Sequence, residues 1–179
     1  MGIKELQTFF EQELKKLNWD IAPKNLYAPI EYVLSLGGKR IRPITALMAC
    51  QLFSDEITPA VYPALALEVF HNFTLLHDDV MDHSDMRRGK PTVHRRWNDN
   101  VAILSGDTML VMATQLIART PRPNTAAALH LFLRTATEIC EGQQYDMDFE
   151  DRDDVDLNEY MEMIRRKTSV LLGCALQMG

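Results

Sequence analysis

The stretch LLHDDVMDHSDMRRGKPTVH, residues 75–94, concentrates the side chains most able to do chemistry. Asp78 and Asp82 are four residues apart, so on a helix they stack on one face, one turn from each other. Asp79 lies about 100° round from Asp78, and Asp85 returns to the first face. Like charges at that spacing cost a helix roughly a few tenths of a kcal/mol. The apolar pair Leu75-Leu76 sets these carboxylates partway into a bundle, where they need a compensating cation. Oxygen-only donors favour a hard ion such as Mg²⁺, with water and phosphate oxygens completing its shell. A bare DDxxD is also the pattern of a solvated acidic helix face, so its neighbours decide.

Directly downstream, Arg87 and Arg88 precede Gly89 in a Pro-containing loop. Adjacent guanidiniums point in different directions and can clamp two separate anions. Upstream, GGKRIRP sets Lys39, Arg40 and Arg42 at the start of a helix behind two glycines. Free backbone N–H groups, the favourable end of the helix dipole and cations together suit a phosphate. Either basic cluster alone also fits a solvated turn, and GGK is not a P-loop. Combined with the carboxylates, they describe a site for two diphosphates, one of them bridged by Mg²⁺.

The elements that must position these groups read as helices throughout. Helical stripes cover residues 2–18, a segment from Pro23 to the Gly37-Gly38 stop, another from near Ile41 through Leu52, and a long apolar one over 59–82. Further helices are predicted over 98–118, over 124–146 and from Tyr160 through Leu172, separated by TPRPN and the acidic run EDRDDVD. Nothing reads as a strand and no linker divides the chain, so the expected fold is one all-α bundle spanning 1–179. Apolar residues make up 46% and charged residues 25%, the mix of a soluble domain without a membrane span. The net charge of -6 argues against non-specific nucleic-acid binding. Cys50, Cys140 and Cys174 are widely spaced without a CxxC, which favours a reducing, cytoplasmic setting over disulfides or structural zinc. The first residues interleave charge with apolar side chains and show no signal peptide.

In order and spacing, GGKRIRP, EVFHNFTLLHDDVMDHSDMRRGKPTVH, LSGD, GQQYD and RRKTS resemble the trans-isoprenyl diphosphate (polyprenyl) synthases, for which DDxxD followed by RRGxPT is highly specific. The resemblance covers nearly the whole chain. It implies an isoprenoid-synthase-type helical bundle, Mg²⁺ as cofactor, isopentenyl diphosphate and an allylic diphosphate as substrates, and a homodimer. It implies Asp78 and Asp82 as metal ligands with Asp79 supporting, and Arg87 as the arginine holding the allylic diphosphate. Arg88, Lys39, Arg42 and His71 match the residues that hold isopentenyl diphosphate. His71 lies two helical turns before Asp78 on the same face, although a lone histidine on an apolar helix is also an ordinary core residue. Lys167 and Thr168 match the family's KT pair, which contacts the allylic diphosphate and the developing cation. Gln143 and Asp146 match its GQxxD element, which otherwise reads as a helix C-terminal turn.

Breaking an allylic C–O bond leaves a diphosphate, so catalysis in such an enzyme consists largely of stabilising that leaving group, here with Mg²⁺, Arg87 and Lys167. Phe73 and Thr74 lie just over one turn deeper than Asp78. In family terms a bulky side chain there blocks the growing tail, so a short product of about C15 to C20 is expected. The chain departs from the family in lacking a second aspartate-rich motif after the KT pair. EDRDDVD precedes Lys167, has Leu157 where a third aspartate would stand, and reads as a solvated loop. The 179 residues are therefore expected to be an inactive N-terminal fragment of an active prenyltransferase. A non-catalytic partner subunit would also explain the missing motif, whereas a terpene cyclase would leave GGKRIRP, His71 and Arg88 without a task.

Overall fold

Each apolar stripe folds as a helix in the computed structural model, which describes residues 1–179. The order is α1 (Ile3–Lys15), α2 (Lys24–Ser35), α3 (Ile41–Gln51), α4 (Val61–Met81), α5 (Val93–Arg96), α6 (Asp99–Ile117), α7 (Thr125–Glu150), α8 (Leu157–Ile164) and α9 (Val170–Met178). Helix starts follow side-chain chemistry. The Glu5 carboxylate accepts from the Gly2 N–H at 2.7 Å, and Asn98 caps α6 by accepting from the Val101 N–H at 2.9 Å. Asp156 opens α8 by accepting from the Asn158 and Glu159 N–H groups.

The central helix is α4, with Leu65, Leu67, Phe70 and Leu76 buried on more than one side. Its closest neighbour is α6, whose Gly106 admits the imidazole of His77: a Cβ there would stand 2.2 Å from Nε2. From the other side α7 joins through Phe132, edge-on to Phe70 with ring centroids 5.1 Å apart. By length and composition α6 could cross a membrane, yet Ala102, Met109, Ala113 and Ile117 are buried within the bundle. Ile103, Leu104 and Val111 on its other side stay exposed.

Besides the short α5, which no sequence stripe predicted, the fold differs from the sequence reading in three places, each governed by tertiary context. A two-residue antiparallel ribbon, β1 (Met86–Arg87) with β2 (Lys90–Pro91), forms where no strand was expected. Its turn residues Arg88 and Gly89 both have positive φ, the geometry of a type I′ hairpin, too short to show a period in sequence. The 124–146 helix runs on to Glu150, taking the first residue of the acidic run; the rest of that run is a mostly exposed loop in which Arg152 bonds Asp154 and Glu159. The last predicted helix is split into α8 and α9 by one π-helical turn, Arg165–Ser169, which contains the KT pair. Such turns insert one residue into a helix and recur at functional sites.

Candidate active site

A cavity of about 350 Å³ lies between α4, α7 and the π turn, with Asp78, Gln143, Lys167, Thr168, Thr74 and Phe73 in its wall. Lys167 Nζ stands 3.4 Å from Asp78 Oδ1 and 2.5 Å from Asp146 Oδ2, so the ammonium links the aspartate helix to the GQxxD helix. Burial pulls the Lys167 pKa down, but the hydrogen bond it donates to Asp146 and the charge of Asp78 outweigh it and raise the value overall. Gly142 makes this approach possible: a Cβ there would lie 2.3 Å from the Lys167 backbone nitrogen. Gly142→Ala must push α7 and the π turn apart. We expect a loss of about 1–3 kcal/mol of stability, measured as a lower urea midpoint.

Asp78 Oδ1 is buried without a hydrogen-bond partner. Asp82, at the C-cap of α4, has its pKa raised by burial and then by repulsion from Asp78, Asp146 and Glu150. A carboxylate oxygen met only by the Lys167 ammonium at 3.4 Å, beside a repelled carboxylate, fits a divalent cation. No third carboxylate, imidazole or thiol joins them closely enough to complete a three-ligand cluster. That suits Mg²⁺, which binds through one or two carboxylates plus water and phosphate oxygens. Asp79 faces elsewhere: it is buried, and Arg87 Nε sits 2.9 and 2.8 Å from its two oxygens. Arg87 Nη2 is 3.6 Å from Asp78 Oδ2. Arg87 thus braces the aspartate helix from behind, and neither it nor Asp79 or Asp82 lines the cavity.

A second cavity of about 430 Å³ adjoins the first and is lined by Lys39, Arg42, His71, Arg88, Arg40 and Glu68, with Gly38 and Ile41. Arg42 and His71 belong to both walls. Arg88 reaches this cavity because its φ of 53° turns it away from Arg87, and its guanidinium packs on Gly38, where a Cβ would meet Nη1 at 3.0 Å. Arg40 is the exception among the basic residues. It turns inward, donating to Glu68 at 2.5 Å, Glu11 at 2.7 Å and the Leu34 carbonyl at 3.0 Å.

Arg42 Nη1 donates to His71 Nε2 at 3.2 Å, which places the imidazole proton on Nδ1. Burial, then the charges of Arg42, Arg88, Arg87 and Arg40, push the His71 pKa down to about 3. Between the ordinary 6.5 and about 3 the unfolded chain binds a proton that the folded chain does not, so stability falls as pH falls through that window. We expect His71→Gln to flatten that part of a melting-temperature profile.

Eight of the residues singled out by sequence line the first cavity and four line the second, with Arg42 and His71 in both. Sequence reasoning missed the α7 face made by Cys140, Gln144 and Met147, which line the first cavity with Gln143. Their spacing is the i, i+4, i+7 signal that would have found them. It also missed Glu68, which carries no motif, and the packing role of Gly142.

A profile of the polyprenyl synthetase family matches residues 23–179. The chain belongs to that family. Among characterised polyprenyl synthetases it is 40% identical over 173 residues to the geranylgeranyl pyrophosphate synthase of Geoglobus acetivorans, covering 96% of this chain and 54% of that protein. It is 41% identical over 159 residues to the geranylgeranyl diphosphate synthase of Methanosarcina mazei, covering 88% and 49%. A crystal structure of a geranylgeranyl pyrophosphate synthase superposes with a TM-score of 0.96 at 50% identity, covering 99% of this chain and 54% of the other. The enzyme from Pyrococcus horikoshii gives 0.93 at 38% identity, covering 98% and 54%. The all-helical isoprenoid synthase fold is therefore shared, and the chain spans about half the length of the curated relatives it matches.

Proposed function

We propose that the protein condenses isopentenyl diphosphate with an allylic diphosphate, giving a short-chain isoprenyl diphosphate of about C15 to C20. One observation carries this reading: two adjoining cavities share Arg42 and His71, one mostly charged and the other running from Asp78 past Thr74 to Phe73. Isopentenyl diphosphate needs cations and little apolar room, whereas the allylic partner needs a metal-binding mouth and an apolar depth. A cyclase has no use for the second, cationic cavity. The names of the geranylgeranyl diphosphate synthases above agree with this substrate class.

Asp78 and Asp82 would hold Mg²⁺, which neutralises the diphosphate as the allylic C–O bond breaks. Lys167 adds positive charge beside Asp78, and Thr168 faces the same space. Lys39, Arg42 and Arg88 hold the second diphosphate so that its double bond meets the cation. The new C–C bond forms as a proton leaves the isopentenyl unit. His71 Nε2 already accepts from Arg42, and the released diphosphate is the proposed acceptor of that proton. Arg87, tied to Asp79, orients the aspartate helix. We further propose a cytoplasmic homodimer, supported by the absence of disulfides and by the exposed apolar side chains Ile103, Leu104 and Val111 on α6.

The test is incubation with labelled isopentenyl diphosphate, farnesyl diphosphate and Mg²⁺, with calorimetric binding of farnesyl thiodiphosphate alongside. Mg²⁺-dependent binding is expected of these residues, and a solvent-extractable product from a chain in which a second aspartate-rich motif follows them. Failure to bind the thiodiphosphate with Mg²⁺ present would refute the reading.

A further inference from the structure

We propose that Tyr32 of α2 is a positioning residue that fixes the width of the cationic cavity, by tying the ribbon that carries Arg88 to the helix that leads into Gly37-Gly38. The inference rests on the prenyl-transfer reading above, and Tyr32 itself lines neither cavity. The chain from Gly38 to Arg42 forms one side of the cationic cavity, and Arg88, at the tip of the ribbon, forms another. The Tyr32 hydroxyl donates to the Pro91 carbonyl at 2.7 Å, and Pro91 pairs with Met86 across the ribbon. The same helix runs on to Ser35 and delivers Gly38, on which the Arg88 guanidinium packs. One stiff element therefore sets both sides of the opening.

Arg88 needs such a tether because no carboxylate holds it. Arg87 is bound by both oxygens of Asp79, whereas Arg88 has no ion pair, and burial together with the charges of Arg40 and Arg87 lowers its pKa against the pull of Glu68. Lys39, Arg42 and Arg88 also repel one another across the opening until a diphosphate arrives. At the base of the ribbon Thr92 donates to the Ser84 carbonyl at 2.7 Å and Arg95 meets Asp85 at 2.6 Å. Those contacts stay within the segment that follows α4 and set nothing relative to α2. Tyr32 makes that connection, and its ring is aimed. It stands edge-on to Trp97 with centroids 5.5 Å apart, and the Arg96 guanidinium lies 4.4 Å over its face. Tyr32→Phe keeps these ring contacts and removes the tether alone.

Calorimetry on the chain itself is the test. Isopentenyl diphosphate is titrated into protein holding Mg²⁺ and farnesyl thiodiphosphate, and the thiodiphosphate is titrated separately. Tyr32→Phe should weaken isopentenyl diphosphate about tenfold and the thiodiphosphate by less than about twofold. Arg88→Gln should also weaken isopentenyl diphosphate, and Tyr32→Phe added to it should cost nothing further, because the tether then positions no charge. Additive losses, unchanged affinity in Tyr32→Phe, or equal weakening of both ligands overturns the inference and leaves the proposed function standing. A wild-type chain that fails to bind either ligand overturns the proposed function, and the inference with it.

Discussion

Replacing Arg40 with leucine is expected to destabilise the protein by about 3–5 kcal/mol, lowering its melting temperature by roughly 10 °C or more. The Arg40 and Glu68 side chains are only 4% and 3% exposed. Removing the guanidinium leaves the Glu68 carboxylate buried with the Asn72 side chain as its remaining hydrogen-bond donor, at 2.9 Å. The energy lies in the stranded charge and not in the pair itself, since buried ion pairs replaced on both sides are often near neutral. A double variant, Arg40→Leu with Glu68→Leu, should therefore recover most of the lost stability in urea denaturation. If both variants lose the same amount, Arg40 acts through packing alone. The same pair bears on ligand binding, because Arg40 is the left-handed N-cap of α3 and fixes the chain between Lys39 and Arg42.

In a chain that also carries a second aspartate-rich motif, Asp78→Ala is expected to lower prenyl transfer by on the order of 10³-fold while leaving stability within about 0.5 kcal/mol of wild type. Asp78 is partly exposed, and its contacts with Lys167 and Arg87, at 3.4 and 3.6 Å, are long. Its loss also relieves repulsion on Asp82. Function and stability therefore part company at this position, as they do where like charges are held together for a ligand. Steady-state assays over a range of Mg²⁺ concentrations, beside melting curves, check it. Full activity restored by excess Mg²⁺ would mean that the carboxylate only gathers the ion and does not place it.

The aspartate helix was legible in sequence because its information is local. Four-residue spacing puts Asp78 and Asp82 on one face whatever surrounds them, and the glycine pair before Lys39 and the Arg88-Gly89 turn announce chain reversals. The opposed directions of Arg87 and Arg88 were legible too, since adjacent side chains diverge. Local pattern could not separate Arg40 from Arg42. Both are cations at one helix start, and only the burial of Glu68 on α4 draws the first inward while the second reaches the cavity.

Sequence alone thus determined the helices, the family motifs and the placing of Asp78 and Asp82 on one helix face, because hydrophobic periodicity and residue spacing act over a turn or two. Tertiary structure decided the rest. Lys167 is distant from Asp78 in the chain, and it reaches that carboxylate because Gly142 lets the π turn settle on α7. The shared wall of Phe73 and Cys140 likewise exists only where α4 and α7 face each other. Such pairings depend on which faces of distant helices pack together, and no local period encodes that choice.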